Sequence, residues 1–389
     1  MGPTSRTRFA RGLSLVELMV ALVVGLLLTA GAISVFLSNK STHEVTSGLS
    51  RLQENARFAL ETMLRDLRMA GGVGCVDNVG SVSNIAMTAG DPRGVLWDLG
   101  VPESLPGAEP GVGLEGLDNV QPGTSLWSAW ASPSVTKGSP EDTSRIIAGT
   151  DAVTVRYLGG LGQSAEGTVA SLSVEGTPLV VAEGYAGVVD CTAGVLFKVS
   201  QASGTAVTTA SPKYASASRY FQTTATNDFY PRLFPLHAAR YYVGVGSGGP
   251  GHRSLYRQTL RWEDRNGNGA HDPGEVFVVD DELASGVEDM QILYGIASGD
   301  APEEYVGAGA QKLDTPEEWR SVVSVRLGLL LRTVDEQGAQ PDTRVYDVFS
   351  GGSFASLDKC AKGSGCVDPP DLRVRRRVFT TTVYLRNRT

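Results

Sequence analysis

Basic charge is what this 389-residue chain lacks first. It has 34 lysines and arginines against 42 aspartates and glutamates, a formal net charge of −8. Nucleic-acid binders carry a basic footprint, so that class is set aside and no nucleic-acid partner is expected. Histidine is scarce too. His43, His237, His252 and His271 are the four present, and they show no metal-ligand or nucleophile–base spacing. The four cysteines include no Cys-x-x-Cys pair, which argues against zinc and against a thioredoxin-type site. There is no internal repeat. Beyond the N-terminal region, no stretch is long and apolar enough to cross a membrane as a helix.

The N-terminal region carries the strongest signal. In "RGLSLVELMVALVVGLLLTAGAISVFL", residues 11–37, nothing from Leu18 to Leu37 is charged. That is the length of helix that spans a hydrocarbon core. Glu17 stands just inside the run with apolar residues on both sides, and a carboxylate near lipid costs on the order of a few kcal/mol. Arg6, Arg8 and Arg11 precede the run, and the first charge after it is Lys40. By the positive-inside bias, residues 1–12 stay in the cytoplasm and the remainder is exported. A cleaved secretory signal is the plainer alternative, but it needs a shorter apolar core and a small-residue site after it.

The next stretch, "NKSTHEVTSGLSRLQENARFALETMLRDLRMAGG", contains no proline and keeps a helical beat. Val45, Leu49, Leu52, Ala56, Ala59, Met63 and Leu67 recur at steps of three and four. Arg51, Glu54, Arg57, Glu61, Arg65 and Asp66 cover much of the remaining surface. Gly71 and Gly72 supply a stop. The spacing predicts one helix from about Leu13 to Ala70, roughly 85 Å long. Residues 13–37 form its apolar half and 38–72 its amphipathic half, with one stripe for a globular domain.

These residues resemble a type IV prepilin. The basic leader ends in Gly12, "LSLVELMVAL" follows, and glutamate is the fifth residue after the glycine. Within that superfamily the chain is similar to PilW-type minor pilins, which are related to the J-type minor pseudopilins of type II secretion. "QENARFALETMLRDLRMAGGVGC" looks like the helix end of those proteins, and "GTDAVTVRYLGG", "LASGVEDMQILYGI", "SVVSVRLGLLLRT" and "RRRVFTTTVYLRNR" look like their later strands. The resemblance implies the type IV pilin fold, and a prepilin peptidase that cuts between Gly12 and Leu13 and methylates the new amino group. Leu13 stands where most members carry phenylalanine, a departure that bears on the methylation. Glu17 would pair with the N-terminal amine of a neighbouring subunit, as a carboxylate in an apolar bundle needs a partner charge; the plainer alternative is that it lies at the lipid headgroups and snorkels.

The resemblance implies further that the chain is a structural, non-catalytic subunit that helps to start a type IV pilus or to form its tip. Implied partners are other minor pilins, the major pilin, an inner-membrane assembly platform and a tip adhesin. The implied location is the inner membrane first, then the periplasm and the cell-surface pilus. The alternative is the homologous role in a type II secretion pseudopilus. A membrane-anchored, calcium-dependent adhesin or enzyme is a third reading, and it lacks a catalytic group or ligand pocket in the sequence.

The remainder reads as α+β, a long helix laid across an antiparallel sheet with large loop insertions. Residues 73–150 are rich in Gly, Pro, Ser and Asp and read as a surface insertion with a few short elements. Residues 151–389 read as an antiparallel β domain, with strands at "DAVTVRYL", "TPLVVAE", "GVLFKVS", "ARYYVGV", "SLYRQTLRW", "EVFVVD" and "DMQILYGI". In "VVSVRLGLLLRT", Val323, Val325, Leu327, Leu329 and Leu331 alternate with Ser324, Arg326, Gly328, Leu330 and Arg332. That period of two predicts a strand with one well-buried face.

The stretch "DRNGNGAHDPGE", residues 264–275, fits the twelve-residue calcium loop of the EF-hand. Asp264, Asn266 and Asn268 would offer side-chain oxygens, Ala270 its carbonyl, Asp272 a direct or water-mediated oxygen and Glu275 two oxygens to Ca²⁺. Gly269 allows the sharp turn, and position eight holds His271 where an apolar residue is usual. The flanks read as strands rather than helices, which places the loop in a hairpin. A polar Asn-Gly turn without metal is the plainer alternative. Cys75, Cys191, Cys360 and Cys366 allow three pairings. Export favours oxidation, and the expected pairs are Cys360–Cys366 around "AKGSG" and Cys75–Cys191 at the helix end. Free buried thiols are the alternative.

Enzyme signals are weak. "GVGSGG", residues 244–249, matches G-x-G-x-x-G, but Pro250 and another strand follow where a phosphate site needs a helix, so it reads as a hairpin loop. "VEDM" and "PEEW" read as solvated acidic faces. Arg375, Arg376 and Arg377 precede a strand and read as an exposed edge or a subunit contact.

Overall fold

A computed structural model describes residues 14–74, 82–84, 113–120, 146–168, 170–182, 184–190, 194–209, 220–221, 231–249, 251–262, 267, 276–297, 301–308, 312–313, 316–335, 342, 346–349, 352–353 and 373–386. Helix α1 runs from Leu15 to Met69. Ser14 caps it, its hydroxyl accepting from the Glu17 N–H at 3.1 Å, which satisfies one of the first-turn donors. At the far end Gly71 turns the chain at φ 71°. Its N–H donates to the Arg156 carbonyl at 3.0 Å, and Leu158 N–H donates to the Gly72 carbonyl at 2.7 Å. The helix end is thus tied directly to a strand.

That strand is β3 (Thr150–Leu158), which follows β1 (Val82–Asn84) and β2 (Leu114–Val120). Next come β4 (Gln163–Thr168), β5 (Ser171–Val174), β6 (Tyr185–Val189), β7 (Gly194–Ser203), β8 (Ala206–Thr209) and β9 (Tyr220–Phe221). The chain continues through β10 (Arg232–Val245), β11 (Arg253–Trp262), β12 (Val276–Ser285), β13 (Val287–Ile296) and β14 (Glu304–Val306). A short helix α2 (Pro316–Arg320) precedes β15 (Val322–Arg332), β16 (Asp347–Phe349), β17 (Gly352–Ser353) and β18 (Arg376–Tyr384).

Strands β2, β3, β10, β11 and β12 pair in that order, all antiparallel. The long β10 leaves this sheet at its start, where Arg232–Pro235 pair with β6, and opens into a lobe of β4 to β9. A second sheet has the order β14-β13-β15-β18. The chain crosses between the two sheets at Gly286, whose N–H donates to the Arg253 carbonyl and whose carbonyl accepts from Arg332 N–H, each at 2.8 Å. Its φ is 82°, and a Cβ there would lie 2.5 Å from the Arg332 carbonyl oxygen, so only glycine fits.

The main core lies between α1 and the two sheets. Leu52, Ala56, Ala59, Met63 and Leu67 meet Val155, Tyr241, Leu255, Ile292, Val325, Leu327, Leu329 and Val383. The lobe has a separate core that includes Leu172, Val188, Phe197, Val199 and Leu233.

The expected α+β class is what the structure shows, with a long N-terminal apolar helix, antiparallel sheets and large loops. Most of the strands expected from the sequence are present. Three features differ. "TPLVVAE" is not a strand over 177–182. There the buried Gln163 amide donates to the carbonyls of Glu175 and Thr177, each at 2.8 Å, and accepts from Leu179 N–H at 3.1 Å. Pro178 has no N–H to give a ladder, so a side chain replaces the partner strand. Second, β15 is buried on both faces except at Arg326. It is an inner strand, and its second face is closed by small or paired residues. Ser324 donates to Tyr305 Oη at 3.0 Å, and Arg332 meets Glu288 at 3.6 Å. Third, the region 73–150 read as a surface insertion supplies β2, whose Leu114 and Val120 are fully buried.

Candidate functional site

Every residue from Ser14 to Glu44 is exposed. The side chains of Leu15, Val16, Leu18, Met19, Val20 and Leu22 onward therefore meet no part of their own chain. A soluble monomer rarely presents so long an apolar surface, which marks a membrane or subunit contact. The helix is long and apolar enough to cross a membrane. Its few polar atoms are managed within the helix, as where the Thr29 hydroxyl donates to the Gly25 carbonyl at 2.8 Å. Gly25 and Gly31 have open space where a Cβ would stand, so the helix offers shallow flat patches to a neighbour. Glu17 lies in the first turn, where the helix dipole favours a carboxylate. It is exposed, with Val20, Ala21 and Val24 beside it on the helix surface.

The second half of α1 fastens this surface to the head. Gly48, Leu52, Ala56, Ala59, Met63, Asp66 and Leu67 are buried. The sequence groups Asp66 with the charged residues outside the apolar stripe, and the structure corrects this by burying it. Its Oδ2 accepts from Tyr241 Oη at 2.5 Å and from Arg257 Nη2 and Nε at 2.9 and 3.1 Å, and its Oδ1 accepts from Tyr157 Oη at 3.1 Å. The sequence did contain the signal. Asp66 follows Ala59 and Met63 at steps of seven and three, which places it on the buried stripe.

Electrostatics around Asp66 follow from burial and its charge. Burial and then the Asp66 carboxylate push the Tyr157 hydroxyl up to about 12, and both push Tyr241 further. Burial would lower Arg257, yet Tyr241 and Asp66 hold it above its ordinary value. His237 stacks on Tyr157 at 5.3 Å and is lowered by its own burial. All of these hydroxyls keep their protons at physiological pH, so the cluster is a fixed joint.

A second ionic cluster was also missed. "VEDM" is no solvated face, because Glu288 is wholly buried and accepts from Arg376 Nε and Nη2 at 2.6 and 3.0 Å. In "PEEW", Trp319 is buried edge-on against Tyr294 at 4.8 Å. The reading of "GVGSGG" holds. It closes the β10–β11 hairpin, with Gly246 N–H donating to the His252 carbonyl at 2.7 Å.

Of the site residues expected from sequence, Glu17 alone falls within the described residues. Gly12 and Leu13 lie outside them, as do Cys75, Cys191, Cys360, Cys366 and the loop residues Asp264, Asn266, Asn268, Ala270, Asp272 and Glu275. The frame of that loop is described. Strands β11 and β12 pair antiparallel up to Trp262 and Val276, so residues 263–275 do connect a hairpin. Among the described residues, no group of three or more His, Cys, Asp or Glu could hold a metal.

Residues 240–387 match the family described as type IV pilus-assembly protein W, and residues 7–33 match the prokaryotic N-terminal methylation motif. The first match runs from the second half of β10 to the end of β18. The second takes in Glu17 and most of the exposed apolar run. Searches of curated proteins and of solved structures gave no match. A methylation motif leading an exposed apolar helix, together with a C-terminal part that matches this family, supports a PilW-type type IV pilin, a pilus-related subunit with an N-terminal helix fit for membrane anchoring.

Proposed function

We propose that this pilin is a non-catalytic minor subunit that takes part in initiating the pilus and stands at or near its tip. The observation that carries the reading is the exposed apolar half of α1 with Glu17 in its first turn. Such a helix is stable only in lipid or among other apolar helices, and moving from one to the other is what assembly requires. The head supports an end position. Its β4–β9 lobe has a core of its own, separate from the core that packs on α1. Such an added lobe is bulk that a filament end accommodates more readily than a close-packed shaft.

In this reading a prepilin peptidase cuts between Gly12 and Leu13 and methylates the new amine. Before assembly the helix sits in the inner membrane with the head in the periplasm. Export then permits the cysteines to oxidise. Glu17 pairs with the amine of an adjacent subunit, and the partners are other minor pilins, the major pilin, the inner-membrane platform and a tip adhesin.

The test has two parts. N-terminal mass analysis of the protein from sheared filaments should find Leu13 first, and an intact Met1 there overturns the reading. Deletion of the gene should cut the number of pili while leaving the shaft composition unchanged. A deletion strain with normal pili and failed protein secretion assigns the chain to a secretion pseudopilus instead.

A further inference from the structure

Strand β18 closes the four-stranded sheet on one side, and among the described residues its other edge pairs with no strand, though the short β16 comes near β18. It pairs with β15 over nine consecutive positions with no register shift. Thr333 N–H donates to the Arg375 carbonyl, and Leu385 N–H donates to the Val323 carbonyl. Antiparallel pairs alternate between bonded and non-bonded, so the odd-numbered residues of β18 spend their backbone groups on β15. The N–H and C=O groups of Val378, Thr380, Thr382 and Tyr384 therefore point away from the sheet. No described backbone group bonds to them.

Natural sheets blunt such an edge with a charge, a proline, a bulge or a short strand. From Val378 to Tyr384, "VFTTTVY" has no charge and no proline, and it is β-branched or aromatic throughout. Thr380, Thr382 and Tyr384 are exposed, Tyr384 at 59%. The charges stand at the strand's ends. Arg373, Arg375 and Arg377 at one end and Arg386 at the other are exposed, while Arg376 is turned inward onto Glu288.

We infer that the open edge of β18 is a docking site for an extended segment of another protein, one with an uncharged β-forming centre and acidic residues at its ends. The added strand would bond to the outward groups of Val378, Thr380, Thr382 and Tyr384 and set its carboxylates against the bracketing arginines. A second copy of this chain fits less well. Antiparallel self-pairing about Thr381 brings Arg376 opposite Arg386 and Arg375 beside the same end, so like charges meet at both ends. The site needs only the folded sheet and does not depend on where the subunit stands in a filament.

The experiment uses the full chain in detergent micelles and a fluorescent peptide of seven alternating valines and threonines flanked by two aspartates at each end. Binding is read by anisotropy, and the bound state by hydrogen exchange. Exchange at Val378, Thr380, Thr382 and Tyr384 should slow at least tenfold, with Phe379, Thr381 and Val383 unchanged. A lysine-flanked peptide should bind at least tenfold more weakly, and a peptide N-methylated at alternate amides should not bind. Thr380→Pro removes one outward N–H without breaking the β15 ladder and should abolish binding. The N-methylated peptide tests the same point with the protein unaltered. Absence of binding at millimolar peptide, or protection that falls elsewhere, overturns the proposal. Protection of the same four amides that grows with protein concentration alone overturns the choice of partner and assigns the edge to a second copy.

Discussion

Asp66, one turn from the end of α1, and Arg257, in the middle of β11, stand 191 residues apart in the chain and meet at 2.9 Å. Asp66 is almost wholly buried, while Arg257 keeps part of its surface in water. Breaking a buried pair by removing one partner costs about 3–5 kcal/mol. Asp66→Ala should lower the unfolding free energy of the full chain in detergent by that amount. Tyr241→Phe, which removes one hydrogen bond to a charged group, should cost about 1.5–3 kcal/mol. Denaturant titration checks both, and equal stabilities for Asp66→Ala and the parent chain would show that the joint carries no load.

The buried Glu288 gives a second ordering. It faces Arg376 at 2.6 Å and Arg332 at 3.6 Å. Glu288→Ala takes the carboxylate from both guanidinium groups and should cost about 3–5 kcal/mol. Arg376→Met leaves Arg332 beside the glutamate and should cost clearly less. The reverse order in denaturant titrations would contradict the arrangement.

Asp151 joins both sheets and makes stability depend on pH. Its carboxyl accepts from Asn119 N–H at 3.1 Å and Ile292 N–H at 2.8 Å. Burial outweighs these bonds and, with Asp118 nearby, pushes it up to about 8, while Asp289 is raised by burial to about 7. Unfolded aspartates release the proton near about 3.9. Between about pH 4 and 8 the folded state therefore holds protons that the unfolded state has lost, and stability falls as pH rises through that window. His237 is lowered by burial and acts in the opposite sense up to about pH 6.5. Melting temperature should thus drop most clearly between about pH 6.5 and 8. Asp151→Asn, which mimics the protonated acid, should flatten that slope. A slope unchanged by the substitution would rule Asp151 out as its source.

Much of this was legible because periodicity reports burial. The helix, the hairpin around residues 263–275 and the strands of both sheets were legible from runs of apolar residues at steps of two or of three and four. Buried charge was harder to see. The spacing of Asp66 puts it on the buried stripe, but its charge argues for the surface, and Glu288 carries no such signal; only tertiary pairing with Arg257 and Arg376 makes their burial tolerable. Residues 177–182 misled for a related reason. Their composition suits a strand, but the partner that satisfies them is the side chain of Gln163. Of the candidate site, the exposed apolar run and Glu17 were legible directly, since no charge interrupts them from Leu18 to Leu37.

We propose that residues 264–275, whose sequence fits a calcium loop and which join the paired strands β11 and β12, bind Ca²⁺. If the loop gathers Asp264, Asp272 and Glu275, a bound Ca²⁺ would offset their like charges. At about 100 times its Kd the ion should stabilise the chain by roughly 2.7 kcal/mol. The melting temperature should rise with millimolar calcium and fall with a chelator. Asp264→Ala together with Glu275→Ala should erase the difference and leave β11 and β12 paired. Calorimetry that detects no binding up to several times 10⁻³ M, beyond the range of extracellular modules, would leave the loop as a turn.

Glu17 should matter for assembly and not for insertion. Glu17→Ala removes a charge from the apolar run, so membrane insertion becomes easier by on the order of a few kcal/mol. Cleavage at Gly12 should continue, because in the proposed reading processing precedes assembly. Incorporation into filaments should fall when the variant is the only copy. Normal amounts of Glu17→Ala protein in sheared pili would show that the carboxylate has no role there.

The buried stripe of α1 from Gly48 to Ala70 runs along the helix axis for about 33 Å. A pull on the anchor is directed along the same axis. Every contact of the stripe with β3, β12, β15 and β18 is then sheared together, instead of being peeled off one after another. The Asp66 joint and the Gly71 bond to β3 sit at the far end of that path and share the same shear. The head is therefore mounted to bear tension, and its weakest direction is sideways, where a force would lift the helix from the sheets one turn at a time.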